Sequence, residues 1–230
     1  MMLRPGKIRI NHPRKGIIQD SLMKTELISG EHPVMLDHTI DVLRNGGLIA
    51  FPTDTVYGLA ALPFKTEYVE RLFAAKGRNS SKAIAILIGR PDDLPLVTRA
   101  IGPKAAKLVK HLWPGPLTLV VPKNPRLPTI ISPNDTVGVR MPDHALALSL
   151  LRAAGPLAVT SANRSGMPNT NTADEVMAQL SGRIHLILDG GRVPGGVPST
   201  VIDCSGPDPV ILREGPITME MMQQVLEKSE

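Results

Sequence analysis

Residues 48–58 read Leu-Ile-Ala-Phe-Pro-Thr-Asp-Thr-Val-Tyr-Gly, and residues 157–163 read Leu-Ala-Val-Thr-Ser-Ala-Asn. In both stretches a short apolar run, typical of a buried strand, passes directly into hydroxyl, carboxylate or amide side chains. Such groups at the end of a strand can orient a small polar ligand. Each stretch therefore predicts a strand that ends at a ligand site.

Helical and strand patterns alternate on both sides of these two stretches. The sequence predicts helices over 35–44, 66–76, 104–112, 145–153, 174–180 and 219–226. It predicts strands over 48–51, 84–88, 117–121, 136–140, 157–160, 185–188, 200–203 and 210–212. Interleaved helices and strands indicate a layered α/β fold, and the closely spaced final strands indicate some antiparallel pairing. We therefore expect an α/β domain with a mixed sheet and flanking helices.

The composition is that of a globular protein with an adequate core. The chain has 230 residues, of which 42% are apolar and 20% charged. It contains no apolar run near the roughly 18 residues of a membrane span, and its first residues lack the hydrophobic segment of a secretory signal. The single cysteine, Cys204, fits a reducing compartment and is predicted to be a buried apolar residue. We expect a cytoplasmic protein without a membrane partner.

The positive charge is concentrated at the N-terminus. The formal net charge is +5, and the first 24 residues contain six lysines and arginines against one acid, Asp20. We predict a basic arm over residues 1–33, with one short strand at most, then one folded domain over 34–218 and a C-terminal helix over 219–230. The arm is open to three interpretations: a tail without a fixed fold, a segment that contacts RNA or covers the site, or an organellar transit peptide.

Common catalytic and nucleotide-binding signatures are absent from the sequence. There is no P-loop, and the glycine pairs at 190–191 and 195–196 do not form a dinucleotide fingerprint. The six histidines lack metal-ligand spacing, and Ser161 lacks the surroundings of a hydrolase nucleophile. We therefore expect no metal ligand from the protein itself.

Isolated cations at turns predict a distributed anion site. Lys76 and Arg78 follow a predicted helix, Lys82 precedes a strand, and Arg140 ends another strand. Two cations on one turn can face one oligophosphate, the arginine with forked donors and the lysine as a point charge. Cations at a helix C-terminus are also favoured by the helix dipole alone, and a strand-end arginine can form an ordinary surface ion pair. The glycine-rich segment 189–200 can approach a ligand or simply connect two strands.

Eight short motifs occur in one order along the chain and together resemble one family. They are Pro-Thr-Asp-Thr-Val-Tyr-Gly-Leu from Pro52, Ala-Lys-Gly-Arg from Ala75, Trp-Pro-Gly-Pro-Leu-Thr from Trp113, Val-Arg-Met-Pro from Val139, Thr-Ser-Ala-Asn from Thr160, Leu-Asp-Gly-Gly from Leu188, Pro-Ser-Thr-Val from Pro198 and Ile-Leu-Arg-Glu-Gly from Ile211. The series resembles the YrdC family of threonylcarbamoyl-AMP synthases, from about Val34 to Thr218. The chain ends soon after Gly215, so the resemblance implies the single-domain form.

The resemblance implies a fold and an activity. The fold would be a twisted mixed sheet with a concave, basic cavity. The enzyme would be an ATP-dependent nucleotidyltransferase that makes threonylcarbamoyl-AMP and pyrophosphate from L-threonine, bicarbonate or CO2, and ATP, with Mg2+ held by the ATP phosphates. The product would serve tRNA threonylcarbamoyl-adenosine modification by a downstream transferase complex, and direct contact with tRNA stays open.

The resemblance also implies roles for individual residues. Lys76 and Arg78 would be catalytic. The threonine site would use Thr55, Arg140, Thr160 and Ser199, and the ATP site would use Arg78, Lys82, Thr136, Ser161, Asn163, Thr170 and Arg213. Fixed cations around a closed cavity could position two anions against each other without a covalent nucleophile. The sequence does not identify a general base.

Three positions depart from the family pattern and leave alternatives open. Asn79 and Ala83 stand where many members have proline, and Leu87 stands where some have a histidine near the threonine. Asn79 lacks the φ constraint of proline, so we expect a more mobile loop before Lys82. One alternative is a paralogue that uses another amino acid or nucleotide. Another is a non-catalytic RNA-binding or ribosome-maturation module on the same fold.

Overall fold

Ten strands form one mixed sheet in the computed structural model, which describes residues 23–228. The strands are β1 (Glu26–Ser29), β2 (Ile49–Phe51), β3 (Gly58–Ala61), β4 (Ala85–Leu87), β5 (Leu117–Pro122), β6 (Thr136–Arg140), β7 (Leu157–Ser161), β8 (Leu186–Asp189), β9 (Thr200–Asp203) and β10 (Val210–Arg213). Their order across the sheet is β1-β8-β2-β3-β7-β4-β6-β5-β9-β10. Parallel pairs join β1 to β8, β8 to β2, β4 to β6 and β5 to β9, and the other pairs are antiparallel. The predicted mixed α/β fold is confirmed.

Seven α-helices accompany the sheet in the described residues. They are α1 (Met35–Arg44), α2 (Thr66–Lys76), α3 (Leu94–Val97), α4 (Pro103–Leu112), α5 (Ala145–Ala154), α6 (Ala173–Leu180) and α7 (Met219–Glu227). Local chemistry sets several of their ends. Gly77 ends α2 in the left-handed conformation, at φ 60°. The Thr172 hydroxyl caps α6 by accepting a hydrogen bond from the Glu175 amide.

The helices cover the two faces of the sheet unequally. Helices α2, α4, α6 and α7 pack on one face, where they enclose alternate strand residues such as Ile86, Val139 and Ile202. On the other face α1 and α5 cover the half that contains β8, β2 and β3. Residues two apart on β4, β5, β6 and β7 point to this second face and border a cavity, together with Val201 of β9. The fold thus leaves part of one sheet face available to a ligand.

Two strands lie outside the predicted strand ranges, although one short strand is compatible with the predicted N-terminal arm. Strand β3 is not among the predicted strands, and its first residues belong to the polar motif that begins at Pro52. All four residues of β3 are buried between β2 and β7. A strand buried on both faces lacks the alternation that marks a half-exposed strand. Strand β1 lies within the predicted basic arm and pairs with β8. The rest of the arm before Met23 lies outside the described residues.

No helix among residues 23–228 combines the length and apolar character needed to cross a membrane.

Candidate functional site

The candidate site is a cavity of about 360 Å³ on the partly uncovered sheet face. Small residues make room for it, because Ala85 and Gly138 lie side by side on the neighbouring strands β4 and β6. Apolar side chains form much of the floor: Leu87, Val120, Val159 and Val201. Polar side chains stand around it: Thr53, Thr55, Arg78, Thr118, Arg140, Thr160, Ser161, Asn169, Ser199 and Arg213. An apolar floor with a few polar groups around it is typical of a small-molecule site.

Arg140 is held rigidly at one end of the cavity. Its Nε donates to the Gly115 carbonyl at 3.0 Å, and its Nη1 donates to Thr55 Oγ1 at 3.0 Å. Its Nη2 forms an ion pair with Asp54 Oδ1. Burial lowers the pKa of Arg140 and the Asp54 carboxylate opposes this shift. The guanidinium therefore has a fixed orientation and a local counter-charge.

Arg213, at the end of β10, is held by the segment that carries Ser199. Its Nε and Nη2 donate to the Ser199 carbonyl at 3.1 and 2.7 Å, and its Nη2 is also 3.2 Å from Ser199 Oγ. Ser199 Oγ in turn is hydrogen-bonded to Thr118 Oγ1 at 2.8 Å. Burial lowers the pKa of Arg213. These contacts direct an arginine and two hydroxyls toward the same wall of the cavity.

Arg78 is the least constrained arginine of the cavity. Its Nη2 donates to the Ala83 carbonyl at 3.1 Å, and its buried Nε has no hydrogen-bond partner among the described residues. Partial burial lowers its pKa. Within residues 23–228, Arg140 has a carboxylate partner, whereas Arg78 and Arg213 form no ion pair. These two arginines are therefore suited to bind an anion.

Lys76 lies behind the cavity and does not border it. Its ammonium donates to the carbonyls of Ser161 and Asn163, and to Asn163 Oδ1 at 3.0 Å. Ser161 Oγ also donates to Asn163 Oδ1, at 2.6 Å. Burial, followed by the charge of Arg78, lowers the pKa of Lys76 from 10.5 to about 7. Lys76 thus connects the end of α2 to the turn after β7, which places Ser161 at the cavity.

The predicted site residues divide into two groups. Those that border the cavity are Thr55, Arg78, Arg140, Thr160, Ser161, Ser199 and Arg213. Those that do not border it are Lys76, Lys82, Thr136, Asn163 and Thr170. Thr170 is fully buried, and its Oγ1 donates to the Ala162 carbonyl at 3.1 Å. Lys82 is exposed on the loop that follows Arg78. The catalytic and ATP-binding roles of all these residues stay predictions.

Several cavity residues were not predicted. Thr53 and Tyr57 lie inside the quoted motif at 52–58, but the motif alone does not show which of its side chains face a ligand. Thr118 was read as part of an apolar strand. Its position two residues before Val120, on the same face of β5, is the signal that could have identified it.

A glycine-rich segment is tied down beside the cavity. The Tyr57 hydroxyl donates to the Gly191 carbonyl at 2.8 Å and accepts from the Gly190 amide at 3.3 Å. Burial raises the pKa of Tyr57 to about 12, so this hydroxyl keeps its proton. The Gly195 amide donates to the Thr55 carbonyl at 3.0 Å. Gly195 has φ 69°, and an added Cβ would lie 2.4 Å from Asn171, so only glycine fits there.

The fold and the site define a mixed α/β protein with an arginine-bearing ligand cavity on one face of its sheet. Comparison with known sequences identifies it further: the chain belongs to the Sua5/YciO/YrdC family, described as "Telomere recombination", which matches residues 41–215. A threonylcarbamoyl-AMP synthase of Pyrococcus abyssi is 43% identical over 186 residues, covering 80% of this chain and 55% of that protein. One of Bacillus subtilis is 43% identical over 188 residues, covering 80% and 54%. The chain thus spans about half the length of these curated relatives.

Solved structures agree with the family. Sua5 of P. abyssi complexed with L-threonine has a TM-score of 0.84 and 39% identity, covering 88% of this chain and 61% of that one. YciO of Escherichia coli has a TM-score of 0.75 and 26% identity, covering 84% and 96%. The similarity therefore includes both a structure longer than this chain and one of comparable length.

Proposed function

We propose that this chain is an L-threonylcarbamoyladenylate synthase, which forms threonylcarbamoyl-AMP and pyrophosphate from L-threonine, bicarbonate or CO2, and ATP. The observation that carries the proposal is the division of charge in the cavity. Arg140 has a carboxylate partner, whereas Arg78 and Arg213 have none among the described residues. Arg140 with its counter-charge thus suits an amino acid, and the unpaired Arg78 and Arg213 suit phosphates. The names of the curated relatives and the L-threonine complex of P. abyssi Sua5 support the same activity.

The proposed chemistry depends on positioning. The ammonium group of L-threonine loses a proton to solvent, and its nitrogen forms a C–N bond to CO2 to give threonylcarbamate; with bicarbonate as the source, water leaves. A carbamate oxygen then attacks the α-phosphorus of ATP, a new P–O bond forms, and the bond to pyrophosphate breaks. Arg140, with Thr55, Thr160 and Ser199, holds the amino acid, and Arg78 and Arg213 hold the phosphates. These two guanidinium groups, already placed at the cavity, stabilise charge on the departing pyrophosphate. The apolar floor excludes water from a carbamate that hydrolyses readily.

Residues outside the cavity lining have supporting roles in this proposal. Lys76 and Asn163 act through Ser161, whose turn they hold together. Thr170 and Thr136 support the nucleotide wall from behind, and Lys82 on its exposed loop is available to the outer phosphates. In this proposal Lys76, predicted to be catalytic, is instead a positioning residue that fixes the turn after β7.

Magnesium is proposed to arrive with ATP. Residues 23–228 contain no cluster of three or more His, Cys, Asp or Glu side chains that could hold a metal. The donor set of the cavity, arginines and hydroxyls, fits a phosphate-bound ion better than a protein-bound one. When bound, Mg2+ would neutralise charge on the phosphates. We further propose that the protein works in the cytoplasm and that its product serves a tRNA-modifying transferase complex.

Pyrophosphate release tests the proposal. The full chain should release pyrophosphate from ATP and Mg2+ only when both L-threonine and bicarbonate are present. Arg78→Ala should lower that rate by about 10²- to 10³-fold, the usual effect of removing one donor that stabilises transition-state charge, while the thermal unfolding midpoint stays close to the wild type. Arg126→Ala, an exposed arginine outside the cavity, is the matched control.

Two results would reject the proposal. Pyrophosphate release that ignores threonine would exclude the synthase. Tight tRNA binding without any turnover would favour an RNA-binding module on this fold. Normal turnover by Arg78→Ala would instead show that the phosphates bind elsewhere.

A further inference from the structure

Phe64 carries the most exposed aromatic ring of this protein. The chain has six aromatic residues, of which five are at most 9% exposed, whereas Phe64 is 41% exposed. It lies in the turn between β3 and α2 and does not border the cavity. An aromatic ring in water leaves apolar surface unburied and a flat face available for stacking.

Two cations are held beside this turn by the ring of Tyr68. Lys65, the residue after Phe64, has its Nζ 4.9 Å from the centre of that ring and donates to the Tyr68 hydroxyl at 3.2 Å. The Arg71 guanidinium carbon lies 5.5 Å from the same centre, and its Nη1 donates to the Gly46 carbonyl at 2.8 Å. Neither cation forms an ion pair within residues 23–228. The start of α2 therefore presents two positioned charges to an anion.

The described chain begins close to these two cations. The Glu26 amide donates to the His185 carbonyl at 2.8 Å. An added Cβ at Gly47 would lie 3.2 Å from His185 Cγ, and the carbonyl of the preceding glycine accepts the hydrogen bond from Arg71. Residues 1–22 hold five lysines and arginines and one acid. This basic segment therefore joins the fold next to the surface that carries Lys65 and Arg71.

An exposed ring beside cations is complementary to an RNA loop. Lysine and arginine bind phosphates, and unpaired bases stack on aromatic faces, whereas bases within a duplex already stack on one another. An anionic membrane also attracts cations and aromatic rings. The exposed acids Glu67 and Glu70 lie on the same helix and reduce the local positive charge. They disfavour a partner that is bound through charge alone, and stacking on Phe64 favours unpaired RNA.

We infer that the turn at Phe64 and the first turns of α2 form an RNA-binding surface outside the cavity, where Phe64 stacks on an unpaired base and Lys65 and Arg71 bind neighbouring phosphates. Helix α2 has 11 residues, a length of about 16 Å, and the chain reaches Arg78 at the cavity just after it ends. The RNA surface and the cavity thus lie at opposite ends of one helix. The inference goes beyond the proposed function and does not depend on it.

Fluorescence anisotropy with labelled RNA tests this surface. The probes are an RNA hairpin with an unpaired loop and a fully paired RNA duplex of equal length. Phe64→Ala should weaken hairpin binding by about tenfold, the effect of one lost stacking contact, and duplex binding by less than about twofold. Phe64→Tyr keeps the ring and should bind both probes like the wild type. Leu96→Ala, which truncates an apolar side chain of α3 that is 39% exposed, is the matched control.

Two further substitutions separate stacking from packing and charge. Phe64→Leu keeps the apolar bulk without the ring and should weaken hairpin binding by at least about threefold, so the test stands even if Phe64→Ala folds poorly. Lys65→Gln should weaken both probes and make the slope of log affinity against log salt shallower by about one. Lys110→Gln, an exposed lysine of α4, should change neither.

Three results would overturn the inference. The first is a wild-type chain that does not bind the hairpin. The second is hairpin binding that Phe64→Ala and Phe64→Leu leave unchanged, or that they weaken no more than duplex binding. The third is binding to phosphatidylserine vesicles that Phe64→Ala weakens while hairpin binding stays the same, since this would identify a membrane contact.

The outcome is distinguishable from that of the proposed function. Pyrophosphate release by Phe64→Ala should stay within about twofold of the wild type, because Phe64 lies outside the cavity. A chain that binds the hairpin through Phe64 but releases no pyrophosphate would refute the synthase and leave the RNA surface standing. Threonine-dependent release by a chain whose hairpin affinity ignores Phe64 would refute the RNA surface alone.

Discussion

Neutral oxygen acceptors surround the ammonium group of Lys76. Two backbone carbonyls and the Asn163 amide oxygen accept its hydrogen bonds, and the residue is 3% exposed. Such contacts satisfy the donors but bring no opposite charge. Burial therefore still penalises the charged form, and the nearby Arg78 adds repulsion. The lysine acts as a buried crosslink between α2 and the turn after β7.

This environment makes stability depend on pH in a defined direction. The pKa of Lys76 falls from 10.5 in the unfolded chain to about 7 in the folded protein. Between these values the unfolded state holds one more proton, so the free energy of unfolding should rise with pH across that window. Between about pH 7 and 9.5 we expect a gain on the order of 1–3 kcal/mol relative to Lys76→Met. Urea unfolding of both proteins at several pH values measures this difference.

Lys76→Met is its own control, because it has every other titrating group in common with the wild type. Below about pH 7 the lysine is protonated in both states, and the difference between the two proteins should not change with pH. A difference that is constant up to pH 9.5 would show that Lys76 stays charged when folded. In that case the three hydrogen-bond acceptors of Lys76 would offset completely the free-energy cost of burying its charge.

Lys76 also shows what residue patterns can predict. A lysine two positions before an arginine, just after a helix, predicts two cations on one turn. The pattern does not show that Arg78 reaches the cavity while Lys76 turns to carbonyls about 85 residues away in sequence. That distinction depends on where β7 lies beside α2.

At the level of strands, the cavity exists because small residues meet on adjacent strands. Gly138 on β6 lies beside Ala85 on β4 and opposite Val120 on β5, with Thr118 as its diagonal neighbour. An added Cβ at Gly138 would be 3.1 Å from Thr118 Cγ2 and 3.7 Å from Ala85 Cβ. A larger side chain here would therefore have to project into the cavity.

Gly138→Val should consequently weaken ATP binding without unfolding the protein. Valine favours a strand, and its branched side chain would occupy the floor between Arg140 and Val120. We expect the affinity for ATP to fall at least tenfold, on the order of the loss seen for misplaced binding groups. Slight overpacking of about 1 kcal/mol would lower the thermal midpoint by about 2–4 °C. Calorimetric titration with ATP and a thermal unfolding curve measure both effects.

Gly102→Ala is the matched control for this substitution. Gly102 precedes α4 far from the cavity lining, and an added Cβ there meets nothing within 4 Å. It should bind ATP like the wild type. Unchanged ATP affinity in Gly138→Val would mean that the nucleotide does not use this floor.

Helices and strands were predicted correctly where apolar and polar side chains recur with a regular period. Strand β3 was missed because its side chains show no such period. Helices α2 and α4 and strands β5 and β6 carry clear periodic patterns, and the structure has them close to the predicted bounds. Strand β3 (Gly58–Ala61) consists of small residues that are all buried. Its strand conformation comes from pairing with β2 and β7, so it has no local signal.

At the scale of the whole molecule, the charge is divided unevenly along the chain. Residues 1–22 contain five of the 26 lysines and arginines and one of the 21 acids, so they supply +4 of the net charge of +5. The described sheet begins only at Glu26, with β1 paired to β8. Removing residues 1–22 would therefore take away most of the net positive charge and leave all ten described strands in the chain.

We expect this truncation to separate two activities. Threonine-dependent pyrophosphate release should stay within about twofold of the full chain, because the cavity residues all lie after residue 22. Binding of tRNA should weaken, and the slope of log affinity against log salt should become shallower by about three, as for four lost phosphate contacts. Filter binding at several salt concentrations measures this slope. A loss of turnover would instead identify the segment as one that covers the site, and unchanged tRNA binding would exclude it as an RNA contact.

Residues near one another in the sequence were sufficient to predict most of the helices and strands, the mixed α/β architecture and the family of this protein, since strand-end motifs and periodic apolar patterns are local properties. Tertiary structure alone decided the order of the strands and the use of each cation. Arg140 acquires its counter-charge from Asp54, 86 residues earlier, and Lys76 acquires its acceptors from the turn after β7. The physical reason is that the direction and partners of a polar side chain depend on which distant strand folds beside it.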